Sequence, residues 1–188
     1  MEEIGHLTSS VDHIKEIVAT QQSYAGAAGV AEPVRMPDLV DDALRMNAGA
    51  LSRHQVTVVK EFAEVPPLSL DRHRILLILI NLISNAGNAM DGIDGSSRQI
   101  TVRVDAVPGN GLRVAVADNG VGIAPENLTR IFAHGFTTRK DGHGFGLHSC
   151  ALAAREMGGT LTAHSDGPGQ GATFTLELPI RAMELVAG

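Results

Sequence analysis

Between Asp71 and Met90 the chain leaves itself little choice of structure. From Leu76 to Ile83 every position but Asn81 is aliphatic. A surface helix needs one apolar stripe, whereas a helix apolar nearly all round has to be buried and so requires other elements stacked against it. Pro66-Pro67 breaks the chain before it. The longest uninterrupted apolar stretch, Ile75 to Ile80, is far short of the ~20 residues that cross a bilayer. A buried helix of a single folded domain is therefore expected, without direct membrane insertion by this chain.

That helix also carries Asn81, Asn85 and Asn88, whose spacings of four and three put them on one face. A buried amide left unpaired costs about 1 to 3 kcal/mol, so the three require partners. One solution is a polar edge facing solvent. The other is a set of neutral oxygens offered to a hard cation such as Mg²⁺, which takes few protein ligands and completes its shell with phosphate and water.

The elements that cover this helix are readable in outline. Pro37-Asp38 starts a helix running to about Leu51, and Gln55 to Phe62 alternates as a strand. Gln99 to Val107 and Leu112 to Ala117 are expected strands of a hairpin turned at Pro108-Gly109-Asn110-Gly111. A helix from Phe145 to Met157 closes at Gly158-Gly159, followed by strands Thr160 to His164 and Ala172 to Leu178. The sum is an α/β (α+β) sandwich: a mixed, largely antiparallel sheet covered on one face by helices. Ahead of it, Ile4, Leu7, Val11, Ile14 and Val18 form a heptad stripe on a coiled-coil-like helix. The expected division is residues 1–24 as that helix, 25–33 as linker, 34–181 as the main folded domain and 182–188 as a tail.

Composition enters at the glycines. The 188 residues include 21 glycines against about 13 at the usual ~7%. They cluster: Gly120 and Gly122 follow a strand ending at Asp118, and Gly142, Gly144 and Gly146 precede a helix. Glycines at a helix start let backbone N–H groups approach an anion, with phosphate the natural ligand. The P-loop and dinucleotide fingerprints are both absent. A net charge of −6 supplies no field for nucleic acid, which is not expected as a partner. One cysteine, Cys150, forms neither an internal disulfide nor a thiolate cluster, and its aliphatic neighbours suggest a packing thiol. The Met1-Glu2-Glu3-Ile4 start lacks the features of a secretion signal, so a cytoplasmic location is expected.

Five segments then carry a resemblance. Asn81-Leu82-Ile83-Ser84-Asn85-Ala86 resembles the N box of sensor histidine kinases, and Asp118-Asn119-Gly120-Val121-Gly122-Ile123 the G1 box. Phe132 with Phe136-Thr137-Thr138 resembles the F box, Gly142-His143-Gly144-Phe145-Gly146-Leu147 the G2 box, and Gly169-Gln170-Gly171-Ala172-Thr173 the last glycine box. Their order and approximate spacing over residues 34–180 are those of the catalytic ATP-binding domain, in the superfamily shared with gyrase, Hsp90 and MutL.

The resemblance implies ATP and Mg²⁺ as ligands, with roles by position. Asp118 would accept the adenine amino group, supported through water by Thr173, and Gly120 and Gly122 would let the base lie against the backbone. Asn85 would bind Mg²⁺, with Asn88 beside it. Gly142, Gly144 and Gly146 would hold the phosphates, flanked by His143, Phe145 and Leu147. Ile123, Phe132 and Thr138 complete the expected nucleotide site, and residues from about Asn119 to Gly142 would form the lid. Arg139 and Lys140 in that lid either reach the γ-phosphate or are simply solvated. In hydrolysing relatives a glutamate stands four residues before the metal asparagine; Asn81 stands there here and cannot act as a base, so phosphoryl transfer is favoured over hydrolysis.

The implied activity is transfer of the ATP γ-phosphoryl to a histidine on a dimerisation hairpin, and thence to a response regulator receiver domain. No histidine here matches an acceptor well: His6-Leu7-Thr8 and His13-Ile14-Lys15 lack the following acidic or polar and basic pair. Residues 1–24 look like the second hairpin helix, giving a homodimer in the longer kinase and a chain unable to phosphorylate itself; an unusual acceptor at His13 is the rival. Two alternatives remain, an anti-sigma type serine kinase and a nucleotide-binding switch without transfer.

Overall fold

The computed structural model describes residues 31–91, 93, 97–109, 111–138, 144 and 146–179. The heptad helix expected over 1–24, residues 25–30 of the expected linker and the tail lie outside the described residues. The chain enters through strand β1 (Glu32–Val34), helix α1 (Met36–Met46) and helix α2 (Ala48–Arg53), then strands β2 (Thr57–Phe62) and β3 (Leu68–Leu70). Helix α3 (Arg72–Asn88) follows, then strands β4 (Gln99–Val107) and β5 (Gly111–Asp118), a single turn α4 (Pro125–Leu128), helix α5 (Gly146–Glu156), and strands β6 (Thr160–His164) and β7 (Ala172–Pro179).

Five strands form the main sheet in the order β2-β4-β5-β7-β6, with β2 parallel to β4 and every other pair antiparallel. Period-two alternation sorts its faces. Ile100, Val102 and Val104 of β4, Leu112, Val114 and Val116 of β5, and Phe174, Leu176 and Leu178 of β7 are buried toward the helices. The other face carries charge pairs across neighbouring strands, Arg103 with Glu61 and Arg113 with Glu177. The expected sandwich, helices on one face of a mixed sheet, is the observed architecture.

Helix α3 is its centre. The Asp71 side chain accepts the Arg74 N–H at 3.1 Å and so caps the helix start. Ile75, Ile78, Leu79, Leu82 and Ile83 are buried between the sheet and helix α1, which turns Met36, Leu39, Val40 and Ala43 inward. Arg74 further binds Glu156 at 3.0 Å, tying the start of α3 to the end of α5. Truncation of Leu82 to alanine removes methylenes from a site with no exposure. The expected loss is about 2 to 5 kcal/mol, read as a lower urea midpoint at unchanged denaturant slope.

Two features differ from expectation. The helix expected from Pro37 to about Leu51 is broken at buried Asn47, whose side-chain amide donates to the Ala43 carbonyl at 3.0 Å and to the Ile80 carbonyl at 3.3 Å. Asn47 thereby ends α1 and stitches it to α3. Glu32 and Pro33, expected as linker, instead pair with Leu70 and Ser69 in a small antiparallel sheet of β1 and β3.

Candidate functional site

Beyond the end of β5 the backbone crosses to the end of α3, where the Val121 N–H donates to the Ala89 carbonyl at 2.9 Å. This closes one end of a cavity of about 250 Å³ bounded by α3, the loop after β5, the first turn of α5 and the start of β7. Asn81, Asn85 and Asn88 all line it. The amides are half-buried and face the cavity, so the polar-edge and ligand readings of the sequence meet in one surface.

Asp118, the last residue of β5, lines the same cavity. Its carboxylate accepts the Gly120 N–H at 2.8 Å and the Ala172 N–H. Burial pushes its pKa up from the ordinary carboxylate value, and those two amide donors pull partly against the shift. Gly122 and Ile123 also line the cavity. At Gly122 only glycine serves: φ is +71°, and a Cβ would sit 2.1 Å from the Gly167 carbonyl oxygen.

At the α5 end, Thr138, Gly144, Gly146 and Leu147 face the cavity. The start of α5 comes so close to Asn81 that a Cβ on Gly146 would lie 2.7 Å from Asn81 Oδ1. Asn81 Nδ2 is engaged, donating to the Leu77 carbonyl at 3.1 Å. Arg139, Lys140, Gly142, His143 and Phe145 lie outside the described residues.

Three expected site residues stand elsewhere. Thr173 pairs with Ala117 and His164 on the sheet face away from the helices, because β7 alternates and its even-numbered residues point inward. The register position opposite Asp118 belongs to Ala172, which lines the cavity and has no hydroxyl. Gly120 does not line the cavity; its N–H is spent on Asp118 and its carbonyl accepts the Gly171 N–H at 3.1 Å. Phe132 lies behind the cavity wall, edge-on to Phe174 with centroids 6.5 Å apart, and its carbonyl accepts the Nδ1–H of His148 at 3.0 Å.

Ala89, Val121, Ile131, Phe136, Ala172 and Phe174 line the cavity without having been assigned to it, as does Thr137. For Ala172 and Phe174 the signal was present: the inward alternation of β7 continues to Asp118's neighbour. Arg130 lies over the Phe136 ring at 4.8 Å. Cys150 faces the core, and burial pushes its thiol up to about 12, as suits a packing residue. No helix among the described residues is long and apolar enough to cross a membrane.

A cavity walled by three amides, one carboxylate and a glycine-led helix start has the parts of a nucleotide site. The family described as histidine kinase-, DNA gyrase B-, and HSP90-like ATPase matches residues 70–182. The chain belongs to this family. It is 38% identical over 114 residues to the sensor histidine kinase ZraS of Klebsiella oxytoca, covering 61% of this chain and 24% of that one. Full-length ShkA, solved in complex with AMPPNP, superposes with a TM-score of 0.73 at 27% identity, covering 96% of this chain and 39% of that one. Histidine kinase ThkA, solved in complex with the response regulator protein TrrA, superposes with a TM-score of 0.74 at 23% identity, covering 96% and 51%. The chain spans about a quarter of the length of the curated relatives it matches.

Proposed function

We propose that this chain is the ATP-binding catalytic core of a sensor histidine kinase, passing the ATP γ-phosphoryl to a histidine on a dimerisation hairpin. The observation that carries the reading is that one cavity is lined by both the Asp118 carboxylate and the amides of Asn81, Asn85 and Asn88. A carboxylate held by two backbone N–H groups can accept one more donor, which suits the exocyclic amine of adenine and rejects the carbonyl of guanine. Asn85, Asn88 and the first turn of the eleven-residue helix α5 line the same cavity, and that N-terminal turn would receive the phosphates.

The donor set suits Mg²⁺ in a nucleotide complex. Among the described residues no three His, Cys, Asp or Glu side chains converge on a metal position. A cation held by the Asn85 amide therefore takes its other ligands from phosphate and water, a habit of Mg²⁺ rather than of zinc. When bound, it neutralises phosphate charge during transfer. Asn81 offers no carboxylate to polarise water, so hydrolysis is slow and the P–O bond to ADP breaks as a P–N bond forms to the acceptor histidine. The resemblance would bring Arg139 and Lys140 to the γ-phosphate. Gly142 would hold the phosphates with Gly144 and Gly146. A response regulator receiver domain takes the phosphoryl next, and the longer kinase dimerises through residues 1–24.

Titration calorimetry with ATP and GTP in excess Mg²⁺ tests the binding half. ATP is expected to bind at least tenfold tighter, the scale of one satisfied against one clashing hydrogen-bond group. Equal affinities would remove the base-reading role of Asp118.

A further inference from the structure

The base end of the cavity is lined by two separate pieces of chain, the loop after β5 and the start of β7 just beyond the turn between β6 and β7. Ser165, the first residue of that turn, holds them together. Its hydroxyl accepts the Ile123 N–H at 3.0 Å and the Gly167 N–H at 3.3 Å, and donates to the Gly171 carbonyl at 2.6 Å. Two backbone bonds run alongside, Gly169 N–H to the Val121 carbonyl at 2.7 Å and Gly171 N–H to the Gly120 carbonyl at 3.1 Å. Ile123 is cavity wall, and Gly171 immediately precedes Ala172, whose N–H holds the Asp118 carboxylate. Ser165 itself does not line the cavity.

We propose that Ser165 is a positioning residue for the nucleotide: its hydroxyl sets the distance between the Val121–Ile123 wall and the Asp118–Ala172 edge that together receive the base. The inference rests on the reading of this cavity as the ATP site. The chemistry requires a hydroxyl because one atom must accept from Ile123 and donate to Gly171, which a methyl group cannot do. Removing it leaves the Ile123 N–H and the buried Gly171 carbonyl without this partner, and the two pieces part to admit water. The damage falls on the base end, which ATP and ADP share, and spares the phosphate end.

The test is calorimetry on the full chain with Mg-ATP and Mg-ADP, comparing wild type, Ser165→Ala, Ser165→Thr and Asp166→Ala. Asp166 lies next in the same turn with its side chain 79% exposed, and reports general disturbance of the turn. Ser165→Ala is expected to weaken ATP and ADP by the same factor, about tenfold. Ser165→Thr, which keeps the hydroxyl, restores most of the affinity, and Asp166→Ala leaves it unchanged. With a supplied acceptor hairpin, KM for ATP rises while kcat at saturation stays near the wild-type value. If the alanine variant does not fold, Ser165→Cys, similar in size and a weaker hydrogen-bonding group, replaces it with the same expected pattern. Wild-type affinity in the folded variant, a loss confined to ATP, or an equal loss in Asp166→Ala would each overturn the proposal. Absence of nucleotide binding to the wild type would overturn the pocket reading itself, and the Ser165 inference with it.

Discussion

Asp118→Asn is expected to lower ATP affinity by roughly a hundredfold while leaving the protein folded and slightly more heat-resistant. The carboxylate accepts from Gly120 and Ala172 and keeps capacity for a third donor. An asparagine has one acceptor oxygen, so its NH₂ group faces either the Ala172 N–H or the incoming base amine, donor against donor. Loss of a charge-assisted bond together with that mismatch is worth about 3 kcal/mol. The opposite sign on stability follows from the raised pKa. Burial disfavours the ionised form in the folded state, so the contribution of Asp118 to stability is full below the unfolded carboxylate pKa and is lost as pH rises through the higher folded value. Asparagine carries no such burden at neutral pH. Nucleotide binding runs the other way, because the acceptor must be ionised: wild-type affinity falls as pH drops through the raised pKa, above the ordinary range near ~4. The Asp118→Asn variant should show weak binding without that acid limb.

Asn85→Ala is expected to separate the metal from the base. Asn85 lines the cavity on α3, and no acidic cluster among the described residues can substitute for it. In the wild type, adding Mg²⁺ should tighten ATP binding; in Asn85→Ala that increment should shrink by about tenfold or more, with Mg²⁺-free affinity close to wild type. An unchanged Mg²⁺ increment would move the cation away from Asn85. The side chain is half-buried at the cavity rather than packed in the core, so the variant is expected to fold.

The parts of the fold that were legible from sequence are those where local pattern and tertiary role agree. Helix α3 announced itself by being apolar on nearly every side, and its three asparagines by a spacing that only a shared face explains. The β4–β5 hairpin agreed in alternation and turn chemistry, which placed Asp118 at a strand end. What escaped depended on distant partners. Strands β1 and β3 are three residues each and exist because they pair with each other, which no local period reveals. The break at Asn47 comes from an amide that reaches the Ile80 carbonyl, 33 residues away. At the site, the glycine box pointed to Thr173 by residue type, whereas strand alternation points to Ala172; the period was the better guide. Gly120 looked like a place for the base to rest, but its backbone is consumed in holding Asp118 and Gly171.

Phosphoryl transfer itself is the central claim, and one assay addresses it. The chain is incubated with γ-labelled ATP and Mg²⁺, with and without a dimerisation hairpin bearing an acceptor histidine. The account predicts acid-labile, base-stable label on the hairpin, none on the chain alone, and loss of the signal in Asn85→Ala. Label released only as inorganic phosphate, or acid-stable label on a serine, would contradict it.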